Sequence, residues 1–417
     1  MKSSLKSRPR PGLRFDPKLE AEWRWYFDEQ APNFVRQTFS PPKRIKQSRP
    51  FGEPDAAFFF SGIAELSDFF TVDRAGGRER GRVPNYFSHP RFRSSYLLYL
   101  FPLQAAKFLH LCQLHFPKLP ERKRIRVLDV GAGPGTASIA FLMHLFDLAR
   151  AEGKDIAPPD VEMLWVDTNL EIMRDGQTLM QNWLRERPGK NPAVTLQLQR
   201  EDWSRLQPKG FDYIFLGNVL NELHHRADET RALLARMMSA NPGAHFLFVE
   251  PADKGSSQLL AKVRDGLVMK GTDPTGPDSS GGAPPAKLIG PCLHAEKCPL
   301  TDGRDWCHFS VPAEIPGKWF LNFSKRLGSA RTWIKFSYLC LVEKSGATPA
   351  PAPGNARLVL TDPLRGKDGK TQILLCEPER PHRWAVPPKS GIHRGDIVES
   401  GAFTPLKTVA DTKRDRR

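Results

Sequence analysis

The sequence predicts a doubly wound α/β fold with a helical N-terminal extension, a cysteine-rich insertion and a small C-terminal β module. Three observations carry this. From about residue 124 onward, apolar strand-like runs alternate with helical runs, the pattern of a parallel sheet with crossover helices. The first of those strands runs straight into a glycine-rich turn that opens a helix. A chain of 417 residues is also too long for one small core, so two or three units are expected. The boundaries fall at 1–95 for a basic extension and 96–270 for the sheet domain. Residues 271–345 hold a flexible loop, the cysteine-rich insertion and the last sheet strand, and 346–417 a linker, the β module and a basic tail.

In the extension the best helix is "DPKLEAEWRWYFDEQA", with Asp16 as its cap. "SSYLLYLFPLQAAKFLHLCQLHF" (94–116) is apolar on both faces and predicts a buried helix, in which Cys112 is a small hydrophobe. The alternation then runs through "IRVLDV", "TASIAFLMHLFDLARAE", "VEMLWVD", "LEIMRDGQTLMQNWLRE", "AVTLQLQ", "FDYIFLGNVL", "ETRALLARMMSAN", "AHFLFVE" and "SSQLLAKVRDGLV". "GTDPTGPDSSGGAPPAK" (271–287) reads as a loop and "SGATPAPAPGNAR" (345–357) as an extended linker. "IKFSYLCLVEK" reads as the last sheet strand, and "ARLVLTDP", "KTQILLCEPE" and "RWAVPP" as short strands of the β module.

The formal net charge of +16 implies a polyanionic partner, nucleic acid being the usual one. "RQTFSPPKRIKQSR" (36–49) contains no acid, and "GRERGRVPNYFSHPRFR" (77–93) interleaves Arg78, Arg80, Arg82, Arg91 and Arg93 with Tyr86, Phe87 and Phe92. Arginine beside aromatics suits phosphate contact with base stacking, so both runs are expected to face RNA. Apolar stretches break well before the roughly 18 residues of a membrane span, and no membrane partner is expected. The basic, acid-poor start is followed by no apolar block, which leaves room for a short organelle-targeting peptide but not a secretory signal. Six cysteines without secretory features point to a reducing compartment and to ligation.

"RVLDVGAGPGTAS" joins an apolar strand, Asp129, and the glycines Gly131, Gly133 and Gly135, which permit a tight turn and a close ligand approach. A dinucleotide fingerprint wants its third glycine where Thr136 stands. An acid two residues before the first glycine suits a cationic ligand better than a pyrophosphate. The combination resembles motif I of class I S-adenosylmethionine-dependent methyltransferases. That resemblance implies Asp129 and the glycine loop at the cofactor, Asp167 on the ribose hydroxyls, and Asp202, with Trp203 beside it, at the adenine amine. It also places Gly217 and Asn218 at the edge where substrate meets the methyl group. Asn218 and Glu222 are as readily structural as chemical, and no catalytic residue is assigned.

Cys292, Cys298 and Cys307 lie close together in "GPCLHAEKCPLTDGRDWCHFS" (290–310) and are read as metal ligands. Zinc could be completed by a further Cys, or by His294 or His308. An iron–sulfur cluster prefers four thiolates and tolerates irregular spacing. Of the distant cysteines, Cys340 sits mid-strand among apolar residues and reads as core, whereas Cys376 ends a strand before a turn.

"FVEP" (248–251), "CLHAEKCP" (292–299), "WCHF" (306–309), "KFSYL" (335–339) and the late Cys376 resemble, in this order, the mitochondrial small-ribosomal-subunit assembly family typified by methyltransferase-like protein 17, with its bacterial relatives. The resemblance spans about residues 90–400. It implies a [4Fe–4S] cluster on Cys292, Cys298, Cys307 and Cys376, with zinc as the alternative. It further implies S-adenosylmethionine as cofactor, the small ribosomal subunit and its rRNA as partners, and a monomer away from the ribosome. The compartment is the bacterial cytoplasm or, alternatively, the mitochondrial matrix. Two rival functions remain at this point: a non-catalytic assembly factor with a degenerate methyltransferase fold, and a zinc-stapled protein methyltransferase.

Overall fold

The computed structural model describes residues 12–45, 49–70, 86–153, 156–187, 191–220, 227–269, 286–312, 317–328, 333–346, 354–366 and 368–399, with the backbone of two short strands at 7–8 and 404–405. Arg78, Arg80, Arg82, Lys46 and Glu222 lie outside the described residues, as do most of the 271–287 loop and the 345–357 linker.

The extension begins with strand β1 (Ser7–Arg8), followed by helices α1 (Pro17–Arg24), α2 (Ala31–Phe39), α3 (Pro42–Ile45) and α4 (Glu53–Asp68). Asp16 caps α1 as expected, accepting from the Lys18 and Leu19 amides at 2.8 Å each. A short α5 (Pro90–Ser95) leads through a π-helical turn into α6 (Phe101–His115). Being apolar all round, α6 is buried along most of its length, including Phe108, Leu109 and Cys112.

The alternation that follows gives β2 (Arg124–Val130), α7 (Thr136–Glu152), β3 (Asp160–Asp167), α8 (Leu170–Glu186), β4 (Val194–Arg200), β5 (Tyr213–Gly217), α9 (Ala227–Ser239), β6 (His245–Glu250) and α10 (Lys254–Val268). Then come β7 (Ala286–Gly290), β8 (Phe309–Pro312), α11 (Lys318–Arg326) and β9 (Trp333–Glu343). The main sheet has the order β4-β3-β2-β5-β6-β9-β7. Strands β2 to β6 are parallel, and the predicted last strand, β9, runs antiparallel between β6 and β7. Its first residues continue beyond β6 to pair with β8, Phe336 opposite Phe309.

The C-terminal module contains β10 (Ala356–Val359), β11 (Leu364–Arg365), β12 (Thr371–Cys376), β13 (His382–Ala385), β14 (Ile397–Glu399) and β15 (Thr404–Pro405). Its antiparallel sheet has the order β1-β14-β10-β12-β13-β15, so the start of the chain supplies an edge strand to the module near its end.

Each face of the main sheet has its own core. One buried cluster runs from Trp23, Tyr26 and Phe27 of the extension through Trp165 and Trp183 to Phe320 and Phe323 of α11, and reaches Leu358 and Leu374 of the module. The other packs Leu128, Ile214, Phe246 and Leu341 against Met238 and Leu260. Val359, Ile373, Leu375 and Val398 form a small core inside the module. The extension is further tied down by Glu22, which accepts from Arg187 at 2.6 Å and Arg150 at 2.7 Å. Among the described residues no helix is long and apolar enough to cross a membrane.

Candidate cofactor cavity and cysteine centre

Strand order reverses on either side of β2, and in such sheets ligands bind at the carboxyl ends of the strands beside that switch point. A cavity of about 370 Å³ lies there. Its walls include Gly131, Gly133, Asp167, Trp203, Gly217 and Asn218. Gly131 and Gly133 have φ of 64° and 53°, so the turn after β2 needs glycine. The Gly133 amide donates to Asp167 Oδ2 and the Asn169 amide to Oδ1, both at 2.9 Å. Burial raises the Asp167 carboxyl above the usual range, while these amides pull it back.

Gly135 does not line the cavity. Its φ is 73°, and a Cβ there would lie 2.0 Å from the Trp165 ring, so it serves packing. Asp129 is also off the cavity wall. Its Oδ2 accepts from the Ser138 amide at 3.0 Å and hydroxyl at 2.8 Å, and Trp165 Nε1 donates to that hydroxyl at 2.9 Å. Burial pushes Asp129 up to about 7, against the Ser138 hydrogen bonds and with help from the Asp167 charge. Asp202 is exposed and caps the turn Trp203–Arg205, accepting from the Ser204 amide at 2.9 Å. Its neighbours Glu201 and Trp203 line the cavity instead.

The extension and the residue that follows it supply walls that sequence reasoning missed. Phe70, Tyr86, Phe87 and Tyr96 all line the cavity, with ring centroids 5.3 Å apart for Phe70–Tyr86, 4.3 Å for Tyr86–Phe87 and 5.1 Å for Phe87–Tyr96. Lys107, 5% exposed on α6, and Lys335 of β9 join them. Tyr86 and Phe87, expected to stack on RNA, therefore face inward. Arg93 is bound to Asp175 at 2.8 Å, and Arg91 pairs with Glu65 at 2.8 Å. Three arginines of the 36–49 run make contacts within the protein. Arg36, Arg44 and Arg49 converge on the fully buried Asp55, with Arg49 as close as 2.5 Å. Its described Lys43 is exposed. A basic run without acids cannot show that three cations share one buried carboxylate, and that sharing buries Arg36 and leaves Arg44 and Arg49 partly exposed.

The cysteine segment leaves the sheet at Gly290 of β7 and returns at Phe309 of β8, and both strands pair with β9. Cys292, Cys298 and Cys307 thus hang from one strand at both ends. Cys376, at the end of β12, comes from the other sheet. All four line a single small cavity of about 40 Å³, together with Arg264 and His294. His294 Nε2 lies 3.6 Å from Cys376 Sγ. Burial and the nearby Cys292 push the Cys298 thiol up to about 11, and burial raises Cys376 further. Cys112 and Cys340 are fully buried and absent from this cavity. His308 is also outside it and bonds to its own loop at Trp306 O. Among the described residues no group of three or more His, Cys, Asp or Glu side chains is gathered as for a single metal ion.

The sheet order, with its antiparallel strand between β6 and β7, and a cavity at the switch point define a doubly wound α/β protein of the class I S-adenosylmethionine-dependent methyltransferase type. The chain belongs to the mitochondrial small ribosomal subunit Rsm22 family, whose model matches residues 95–395. Among solved structures it is similar to the N-methyltransferase NodS of Bradyrhizobium japonicum WM9 in complex with S-adenosyl-L-homocysteine, at 10% identity, TM-score 0.32, over 58% of this chain and 88% of that one. It is also similar to a putative class I S-adenosylmethionine-dependent methyltransferase of Listeria monocytogenes, at 12% identity, TM-score 0.31, over 81% and 83%. A third is an S-adenosylmethionine-dependent methyltransferase of Methanosarcina mazei, at 15% identity, TM-score 0.25, over 53% and 93%. At these values nothing about substrate follows from them. No curated protein matches the sequence.

Proposed function

We propose that this protein is an S-adenosylmethionine-binding, methyltransferase-like factor of the small ribosomal subunit, acting on or near its rRNA and carrying a metal centre on four cysteines. The observation that supports it most is the cavity at the switch point, walled by Gly131, Gly133 and Asp167. In this reading the two glycines let the cofactor approach the backbone, and Asp167 accepts from the ribose hydroxyls. Glu201 and Trp203 take the adenine end that sequence reasoning gave to Asp202. S-adenosylmethionine supplies an electrophilic methyl group, and the protein's part in any transfer is to position it.

The residues around the second cavity fit a four-thiolate group. Four free cysteines line it, and a buried arginine faces them. Cys292, Cys298, Cys307 and Cys376 would hold a [4Fe–4S] cluster, which would join the C-terminal module to the main sheet and couple metal binding to folding. His294 beside Cys376 is the feature that keeps zinc as the second reading. The second functional reading is a non-catalytic role, in which the packed rings of Phe70, Tyr86, Phe87 and Tyr96 wall the cofactor cavity. The family's name supports association with the small ribosomal subunit in the mitochondrial matrix, the bacterial cytoplasm being the other setting.

Anaerobic purification with iron, labile-sulfide and zinc analysis, paired with calorimetric titration of S-adenosylmethionine, tests both halves. Iron and sulfide in equal amounts with saturable cofactor binding are expected. Stoichiometric zinc without sulfide overturns the cluster, and absence of cofactor binding overturns the first cavity's assignment.

A further inference from the structure

Helix α10 ends its cavity-facing side with two adjacent charged residues whose side chains grip the cysteine segment. Arg264 is 2% exposed and lines the four-cysteine cavity. Its guanidinium donates through Nη1 to the Glu296 carbonyl and through Nη2 to the His294 carbonyl. Asp265, bonded to the same guanidinium at 2.5 Å, accepts from the Cys298 amide at 3.0 and 3.1 Å. The turn between Cys292 and Cys298 is therefore fixed at two carbonyls and one amide by a single Arg–Asp pair. Only a planar fork with several donors can take two carbonyls and a carboxylate at once.

The same arrangement carries an electrostatic consequence. A buried guanidinium is costly without compensating negative charge. Asp265 provides some, but its oxygens also serve the Cys298 amide. The cavity wall also carries the four cysteines, and no carboxylate is among its lining residues. Outside the cavity, Arg394 of the C-terminal module brings its Nη1 within 3.5 Å of the His308 carbonyl, one residue from Cys307. Arg264 on the cavity wall, with Arg394 near Cys307 outside it, suits an occupant that stays anionic with its ligands, as four thiolates around an iron–sulfur cluster or a zinc ion do.

We propose that Arg264 is a positioning and charge-balancing residue of the cysteine centre. It holds the Cys292–Cys298 turn in its ligating shape and offsets the negative charge of the filled site. The inference rests on the reading that the four cysteines bind a metal group.

The test uses the full chain, purified and reconstituted anaerobically, as wild type, Arg264→Met and Arg264→Lys. Iron and sulfide content, the rate of iron loss to a chelator and the midpoint potential in a mediated titration are measured. Arg264→Met removes grip and charge. It should lose iron several-fold faster, and its potential should move to more negative values, because reduction adds an electron to an already anionic site. Arg264→Lys keeps the charge without the fork. It should hold a near-wild-type potential yet still lose iron faster, and it serves as the readout should Arg264→Met not fold. Should the wild type hold zinc, the rates of zinc loss to a chelator decide between the same outcomes. Metal-loaded wild type with both variants at its rate and potential overturns this inference alone. Wild type free of iron, sulfide and zinc overturns the cysteine-centre reading and this inference with it.

Discussion

The two cavities are built in opposite ways. The cofactor cavity takes its floor from the ends of neighbouring strands β2, β3 and β5, held by backbone geometry that a short glycine-rich segment dictates. The cysteine cavity takes its walls from α10, from a segment anchored twice on β9, and from β12 of a different sheet. A site made of adjacent strand ends needs only the sheet in order to exist. A site shared between two sheets exists only while both are docked, so its occupant and the docking stabilise each other. The first should respond to changes that fill or unline it, the second to changes that release one side.

The largest effect should therefore come from the far ligand. Cys376→Ser should abolish metal binding and make the module after residue 354 markedly more sensitive to limited proteolysis. Cys340→Ser and Cys112→Ser, in the core, should retain the metal. Metal analysis and proteolysis on the three variants decide it, and retention by Cys376→Ser alone would remove β12 from the site.

In the cofactor cavity the counterpart is Gly133→Arg. No side-chain or backbone atom lies closer than 3.9 Å to a Cβ at Gly133, so a long side chain enters the cavity from a left-handed backbone position. Cofactor affinity in calorimetry should fall at least about a hundredfold, near 2.7 kcal/mol. Metal content should stay at the wild-type value, because the two sites are filled independently in this comparison. A parallel loss of metal would show that they are not.

How much of this was legible in the sequence follows the same division. The alternating elements, the Asp16 cap, the glycine turn and the strand carrying Cys340 could all be read, because each is set by neighbours within one run. Asp202 caps an exposed turn, while its neighbours Glu201 and Trp203 line the cavity. The Glu201 amide bonds to Asp167 O, and the 3-10 turn Trp203–Arg205 that Asp202 caps follows at once, so the strand's alternation ends before these residues and does not tell which of them line the cavity. The aromatic wall of Phe70, Tyr86, Phe87 and Tyr96 left no local signal distinguishing it from an RNA-facing surface. Nor could spacing reveal that Arg36, Arg44 and Arg49 meet at Asp55, a contact made only when α2, α3 and α4 pack. Arg264 and Asp265 looked like an ordinary charged pair on a helix because their partners lie in a segment beyond a long loop.

A finer comparison separates the acids of the first cavity. Asp167→Asn should weaken S-adenosylmethionine binding roughly tenfold, about 1.4 kcal/mol, since this carboxylate lines the cavity and also fixes the Gly133 amide. Asp202→Asn should change it less than about twofold, because that side chain caps an exposed turn and asparagine caps as well. Equal losses in the two would restore Asp202 to the cofactor.

Asp129 offers the smallest effect on cofactor affinity and is read through stability instead, where the sign is fixed by burial. Its folded carboxyl sits at about 7, well above the ordinary 3.8, chiefly because burial disfavours the charged form. In the unfolded chain it ionises near its ordinary value. Between those two values the folded protein binds the extra proton, so stability is fully present below the lower one and is lost as pH rises through the upper one. Asparagine stays neutral throughout and keeps an oxygen for the Ser138 amide and hydroxyl, which both bond to Oδ2. The difference in stability between wild type and Asp129→Asn should therefore shift in favour of the variant as pH rises from about 5 to about 7, then level off. Cofactor affinity at fixed pH should change little, because Asp129 holds the start of α7 through Ser138 and does not line the cavity. Chemical denaturation of both proteins across this range, without cofactor, reads the first point. A difference that stays flat would place the carboxyl near its ordinary value, and a large loss of affinity would return Asp129 to direct contact with the ligand.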